Sequence, residues 1–366
     1  MIKKHFRPIF LLIWIFFAVT ACSQVSEQGT PAYPSSGTQV PAAPGTLTVM
    51  VHDSFAVSEG VIAEFESQNN IKVQFVKAGD AGTALNKAIL SKDNPLADVL
   101  YGVDNTFLSR ALAEGIYDSY DPDALKEIPS ELKLDPENRA IPVDFGDVCL
   151  NYDKAFFQEK NIPPPQTLED LLKPEYKSLL VVQNPATSSP GLSFLLTTIE
   201  HFGEDGYLDY WKSLVDNDVK VVNDWESAYY TEFSGSSGQG PRPLVVSYDS
   251  SPVFEVIYAD PPREDSPTAA IVSDGTCFRQ IEFVGILNGT KNRDAAEIWI
   301  DFMLSPTFQE DMPSMMGVFP VVSSAKINEE FAKHLVMPEN TVQIKPEQIA
   351  DKREQWIKDW TETVLR

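Results

Sequence analysis

From residue 47 onward, apolar and polar positions switch between two periods. LTVMV at 47–51 is an apolar run of strand length, and IKVQFV at 71–76 alternates with period two. Between them Val61, Ile62 and Phe65 recur at helical spacing, with Ser58 placed as an N-cap. A second helical stretch passes through Leu85 and Ile89 and leads into the strand ADVLYGV at 97–103. Further on, LLVVQN at 179–184, VKVVN at 219–223 and PLVVSY at 243–248 read as strands. LSFLLTTIEHF reads as a helix opened by TSSPG, and SGSSGQGPRP at 234–243 as an exposed loop or lid. At the end of the chain Ile349, Trp356, Trp360 and Val364 share a helix face, so the two tryptophans are assigned to core rather than to a ligand site. This rhythm predicts an α/β fold of mostly parallel sheets flanked by helices. No repeat recurs at a fixed period. Two α/β regions in one chain predict two lobes with a ligand cleft beyond the carboxyl ends of their strands. The expected boundaries are 47–145 for the first part of lobe 1, 146–274 for lobe 2, and 275–366 for the return to lobe 1 and the C-terminal helices.

The first residues follow another logic. Lys3, Lys4 and Arg7 precede an apolar run from Ile9 to Val19. That run is short of the ~20 residues a spanning helix needs, so residues 1–21 read as a secretory signal. The run V-T-A-C at 19–22 resembles the lipobox of bacterial lipoproteins. The resemblance implies cleavage before Cys22 and a lipid on its sulfur; the alternative is a plain signal with a chance cysteine. Residues 22–46 are rich in Ser, Thr, Gln, Pro and Gly, too poor in apolar surface to offset the entropy of ordering, and are expected to form a disordered tether.

Composition narrows the function. The chain has 29 basic and 53 acidic residues and a formal net charge of −24, which argues against a nucleic-acid partner. The acidic surface serves solubility and adds little to the case for a cationic ligand, since surface charge is screened within about 8 Å. With Cys22 lipidated, Cys149 and Cys277 remain, as a disulfide in an oxidising compartment or as two buried thiols. GxxxxGK[ST], HExxH, CxxC and GxSxG are all missing from the sequence. His52, His201 and His334 are not spaced as a metal pair. The expectation is a binding protein with no catalytic residues, no metal and no cofactor.

Residues just after predicted strands are polar, carboxylate-bearing and aromatic: His52 to Phe55, Gly102 to Asn105, Asn184 to Gly191, Asp224 to Glu226 and Ser247 to Ser251. Ser188 or Ser189 is placed as a helix N-cap with Pro190 in the first turn. Such a terminus can be a cap and nothing more, or can hold a hydroxyl or phosphate. Trp225 and Tyr248 can be core, or flat walls for an aromatic or cationic ligand.

Read together, these segments resemble the thiamine-binding solute-binding proteins of bacterial ABC importers, from about Leu47 to Arg366. The markers are HDSFA at 52–56, GVDNTF at 102–107, NPATSSPGL at 184–192, DWESAYYTEF at 224–233, VVSYDSSP at 245–252, MLSPTFQEDMP at 303–313 and the ending REQWIKDWTETVLR. The resemblance implies a two-lobed periplasmic-binding-protein fold (type II) that closes by a hinge. It implies a monomer outside the cytoplasm that delivers thiamine or its phosphates to a permease and its ATPase. It implies that Ser188, Trp225 and Tyr248 line the thiamine site, with Asp53 and Ser54 facing the cleft. Better-known members carry aromatic residues where this chain has His52, Glu59 and Gly317, and a tyrosine where it has Phe254. Glu59 is therefore expected to pair with the thiazolium charge or an amino group of the ligand. Two rival readings stand beside this one. Tyr229-Tyr230 invites a ferric-iron binder of the same fold, since hard oxygen ligands suit iron. A secreted hydrolase, with Ser188, His52 and an aspartate as a triad, is the other, because fold alone does not fix function.

Overall fold

The computed structural model describes residues 45–236 and 240–366. The signal, Cys22 and the tether up to residue 44 lie outside the described residues, as do residues 237–239 of the expected loop.

The first elements follow the predicted β/α rhythm. Strand β1 (Gly45–Val51) is followed by α1 (Glu59–Asn69), β2 (Ile71–Lys77), α2 (Ala81–Leu90), β3 (Val99–Asp104), α3 (Leu108–Ala113) and a short β4 (Tyr117–Asp118). β1 pairs in parallel with both β2 and β3. Phe65, the buried apolar residue of α1, packs edge-on against Trp299 at 4.9 Å, while Val61 and Ile62 of the same face are partly buried.

The long strand β5 (Ile141–Asp153) carries the chain into the second region, which holds α4 (Lys154–Lys160), β6 (Leu180–Gln183), α5 (Ser189–Phe202) and α6 (Tyr207–Asp216). It continues through β7 (Lys220–Val222), a π-helical turn at Ser227–Glu232, β8 (Leu244–Tyr248), α7 (Ser251–Ile257) and β9 (Thr268–Ile271). Here β6 is the parallel partner of both β7 and β8. The chain returns along β10 (Phe278–Leu287) to α8 (Arg293–Met303), α9 (Pro306–Gln309), α10 (Met312–Met316), β11 (Phe319–Pro320) and α11 (Glu329–His334). It ends in α12 (Pro346–Val364).

The strand order is β2-β1-β3-β10-β5-β8-β6-β7. Parallel pairs occupy both wings, but β10 is antiparallel to β3 and β5, and β5 is antiparallel to β8. The two-lobed α/β fold is as expected; the sheet is mixed rather than mostly parallel. The reason is topological, because a chain that crosses between lobes and returns on neighbouring strands runs those strands in opposite directions. Cys149 in β5 and Cys277, just before β10, form a disulfide with 4.4 Å between Cα atoms, tying the two crossings together.

The C-terminal helix packs against both α6 and α3. Trp360 meets Trp211 edge-on at 5.4 Å, and the Arg353 guanidinium lies 5.0 Å from the ring centre of Phe107. Both tryptophans of the predicted helix face are core. Among the described residues, no helix is long and apolar enough to cross a membrane.

Candidate functional site

A cavity of about 900 Å³ opens where β1, β5, β8 and β10 meet the loops and helices that follow the wing strands. That volume suits a small organic ligand rather than a bare ion. Asp53, Ser54, Trp225 and Tyr248 line it together with His52, Tyr229, Tyr230 and Phe254. Asp80, Glu226, Glu255 and Glu282 add carboxylates, against the cations Lys77 and Arg263.

The aromatic wall is built by the π-helical turn. Trp225 stands in the helical residues just before this turn and Tyr229 four residues on within it, a spacing that puts both on one side, where the rings lie 5.0 Å apart and 14° from parallel. The indole N–H donates to Ser247 Oγ at 2.9 Å, and that hydroxyl meets Ser251 Oγ at 2.8 Å, which fixes the plane of the indole. Tyr248 donates to Gln280 Oε1 at 3.1 Å across the crossing strands. Its ring lies over Gly146, where a Cβ would come within 3.2 Å of it.

Asp53 supports the opposite wall. Its carboxylate accepts the Gly79 N–H at 2.9 Å, and its backbone carbonyl accepts from Lys77 Nζ at 2.6 Å. His52 packs over Gly102, whose φ of +95° and missing side chain admit the imidazole: a Cβ there would lie 2.4 Å from His52 Cδ2. Burial lowers the His52 pKa, against the opposing pull of Glu282, so the ring is held neutral.

Other sequence-derived positions fall elsewhere. Ser188 is the N-cap of α5 but is wholly buried behind the wall; its neighbours Ser189 and Pro190 reach the cavity. Its hydroxyl is turned toward Asp80, where it partly offsets the upward push of burial on that carboxyl group. Glu59 is exposed at the start of α1 and lines a separate shallow pocket with Phe55, Ile62 and Phe75. Glu59 does not line the main cavity, so the structure does not bring it together with Asp53, Ser54, Trp225 and Tyr248. Gly102 to Asn105 does not line the cavity either. Asn105 instead bonds the backbone of Arg279 and Ile281, each at 3.0 Å, fastening β3 to β10.

Sequence reading missed Asp80 and Glu282. Asp80 caps α2 by accepting the Ala81 N–H at 2.9 Å, and its other oxygen accepts the Trp225 N–H at 3.2 Å from the second lobe. Gly82 N–H to Thr187 O, at 3.0 Å, is a second bond between lobes. The rule that ligands sit beyond strand ends, applied to the second strand as it was to the first and third, points to Asp80. Glu282 lies within β10, where that rule gives no signal.

The described residues hold no group of three or more His, Cys, Asp or Glu placed to bind a metal. Tyr229 and Tyr230 stand at right angles with ring centres 5.4 Å apart. Tyr229 donates to Glu255 Oε1 at 3.0 Å, and burial pushes its phenol well above the usual range.

Residues 94–343 match the family of bacterial extracellular solute-binding proteins. The thiamine-binding periplasmic protein of Salmonella typhimurium is 32% identical over 326 residues, which is 87% of this chain and 94% of that protein. A solved periplasmic thiamin binding protein superposes with a TM-score of 0.78 at 28% identity, over 88% of this chain and 97% of that one. The ferric binding protein from Campylobacter jejuni shares the fold, with a TM-score of 0.69 at 19% identity over 87% and 99% of the two chains.

Proposed function

This chain belongs to the family of bacterial extracellular solute-binding proteins, and on that premise we propose that it captures thiamine, or a phosphate ester of it, and delivers it to the permease and ATPase of an ABC importer. The family places its work outside the cytoplasm. Attachment through Cys22, a monomeric state and the lack of any cofactor beyond the ligand belong to the same proposal, as does the lack of catalysis.

The observation that carries the reading is the pairing of stacked aromatic walls with excess carboxylate in one cavity between lobes. Thiamine has a permanently cationic thiazolium, a flat aminopyrimidine and a hydroxyethyl tail. Trp225 and Tyr248 offer faces for the rings, worth roughly 0.5–2 kcal/mol per cation–π contact. Carboxylates suit the charge and the amino group. Bonds such as Asp80 to Trp225 form only when the lobes meet, so ligand contacts on both lobes favour the closed form.

The ferric reading fits less well. Iron ligation requires tyrosinates, yet burial and the bond to Glu255 both favour the protonated Tyr229. Calorimetric titration with thiamine, after unfolding and refolding to strip carried ligand, tests the proposal. One-to-one binding supports it. No binding to thiamine or its phosphates, with a visible absorption band on adding ferric iron, overturns it.

A further inference from the structure

Below the aromatic wall, the two crossing strands bring a pair of acids face to face. Asp144 of β5 and Glu282 of β10 are register partners. Both are buried, at 0% and 5% exposure, and Glu282 borders the cavity. The Tyr101 hydroxyl stands between them, 2.6 Å from Asp144 Oδ2 and 3.1 Å from Glu282 Oε2. That hydroxyl has one proton to donate, and ionised carboxylates only accept. It can satisfy one acid; the other, buried beside a like charge, needs a proton of its own. The His52 imidazole is the basic group beside this couple, with Nε2 3.5 Å from Glu282 Oε1.

Resting on the thiamine reading, we infer that the floor of the cleft exchanges a proton for the ligand's charge: Asp144 and Glu282 hold one proton between them before the ligand enters, and an organic cation seated against Glu282 sends that proton to solvent. The charge balances. Before binding, the pair carries one negative charge. Afterwards two carboxylates face one fixed positive charge, so the net charge buried in the cleft is unchanged and the desolvation cost of adding a charge is avoided.

The surroundings support this role. Burial pushes Asp144 up to about 7 and Glu282 well above the usual carboxylate range. The other titratable groups coupled to the pair are His52 after β1, Tyr101 and Asp104 of β3 and Tyr248 of β8; one step further out, Asp53 and Lys77 act on His52, and Asp80 acts on Tyr248. Asp104 adds negative field, Asp53 acts on His52 rather than on the pair, Lys77 is engaged with the Asp53 carbonyl, and burial keeps His52 neutral. None of them supplies the pair with a fixed cation, and a ligand bearing one would.

The test is calorimetric titration of the purified protein with thiamine between pH 5.5 and 7.5, in phosphate and in Tris, whose ionisation enthalpies differ. The expected result is an enthalpy that differs between buffers by the equivalent of about one released proton, with affinity rising roughly tenfold per pH unit on the acid side of the pair's titration. Asp144→Asn supplies an amide donor to Glu282 and leaves it ionised. It should still bind, with the buffer difference lost. Equal enthalpies in the two buffers for a wild-type protein that binds would overturn the inference. A ligand-free measurement separates it from the thiamine reading: infrared difference spectra at pH 6, wild type minus the double variant Asp144→Asn/Glu282→Gln, should show a protonated carboxyl band, since the bands of Asp249 and Asp104 are common to both proteins and cancel. If the band is missing from the difference the inference fails whatever the ligand; if thiamine does not bind but the band is present, the thiamine reading fails and the stored proton stands.

Discussion

Asp80 accepts the backbone N–H of Trp225 at 3.2 Å, so a carboxylate from the first lobe holds the aromatic wall of the second. The same side chain caps α2. Asp80→Ala is expected to cost about 1 kcal/mol in stability from the lost cap. It should also weaken thiamine binding about tenfold or more, because closure loses a contact present only in the closed form. Calorimetry gives the affinity, and small-angle scattering should show a larger radius of gyration with ligand than wild type has. Unchanged affinity would mean that closure does not depend on this bond.

Trp225 is stacked on Tyr229 and pinned through Ser247, so its ring is ordered before the ligand arrives. Trp225→Ala should reduce thiamine affinity by about 2–3 kcal/mol, the sum of a lost cation–π face and lost apolar burial. Trp225→Phe keeps a ring but loses the bond to Ser247, and should fall between the two. A Phe variant as weak as Ala would shift the weight of the contact from the face to the hydrogen bond.

Much of the wings was legible in the sequence. β1, β2, β6 and β8 are short apolar runs with clear ends, and the helix at Ser58 begins where its cap predicts. The crossings were not legible. β5 is the longest strand, yet Asp144, Gly146 and Asp147 break its hydrophobic pattern, and β10 carries Arg279, Gln280 and Glu282. These polar residues are buried by pairing with one another, as Arg279 pairs with Asp147 at 2.5 and 2.8 Å, and a period rule cannot see such pairing. The strands that break the pattern are those that carry the floor of the cleft, where local rules are expected to yield to function.

Glu59 stands apart from the other expected site residues. The family resemblance implies a ligand contact at this position, and the structure sets the carboxylate at the start of α1, outside the main cavity. Glu59→Gln should leave thiamine affinity unchanged within twofold by calorimetry. A tenfold loss would mean that the ligand or a moving α1 reaches the shallow pocket.

Buried acids set the pH dependence of stability. Burial raises Asp104 to about 6, Asp144 to about 7 and Asp249 to about 8, from about 3.9 in an unfolded chain. A raised folded pKa means that the native state holds the proton more tightly. Its contribution is complete below about pH 4 and is lost as pH climbs toward 8. Glu66 and Asp170, lowered by hydrogen bonds from Lys72 and Lys173, act the other way and lose their contribution as the pH falls below about 4. The melting temperature should peak near pH 5 and decline by pH 8, and Asp144→Asn should flatten that decline. A calorimetric scan series that rises from pH 5 to 8 would contradict it.

The disulfide tests whether fold and site are separable. Cys149 and Cys277 are 128 residues apart, so their bond closes a long loop in the unfolded chain, worth up to about 5 kcal/mol on the chain-entropy account. Neither cysteine borders the cavity. Both sulfurs belong to buried residues, so mild reductant should leave the native protein oxidised and a double variant is the cleaner probe. Cys149→Ala/Cys277→Ala is expected to lose about 2–5 kcal/mol in denaturant unfolding, with thiamine affinity within threefold of wild type. The two crossing strands remain paired through the register from Phe278 with Val148 to Val284 with Ile141, and that ladder rather than the sulfur bridge holds Glu282 opposite Asp144. A variant as stable as wild type would mean that the unfolded chain gains little freedom when the bridge is lost. A large loss of affinity at intact fold would mean that the bridge, and not the ladder, sets the geometry of the cleft floor.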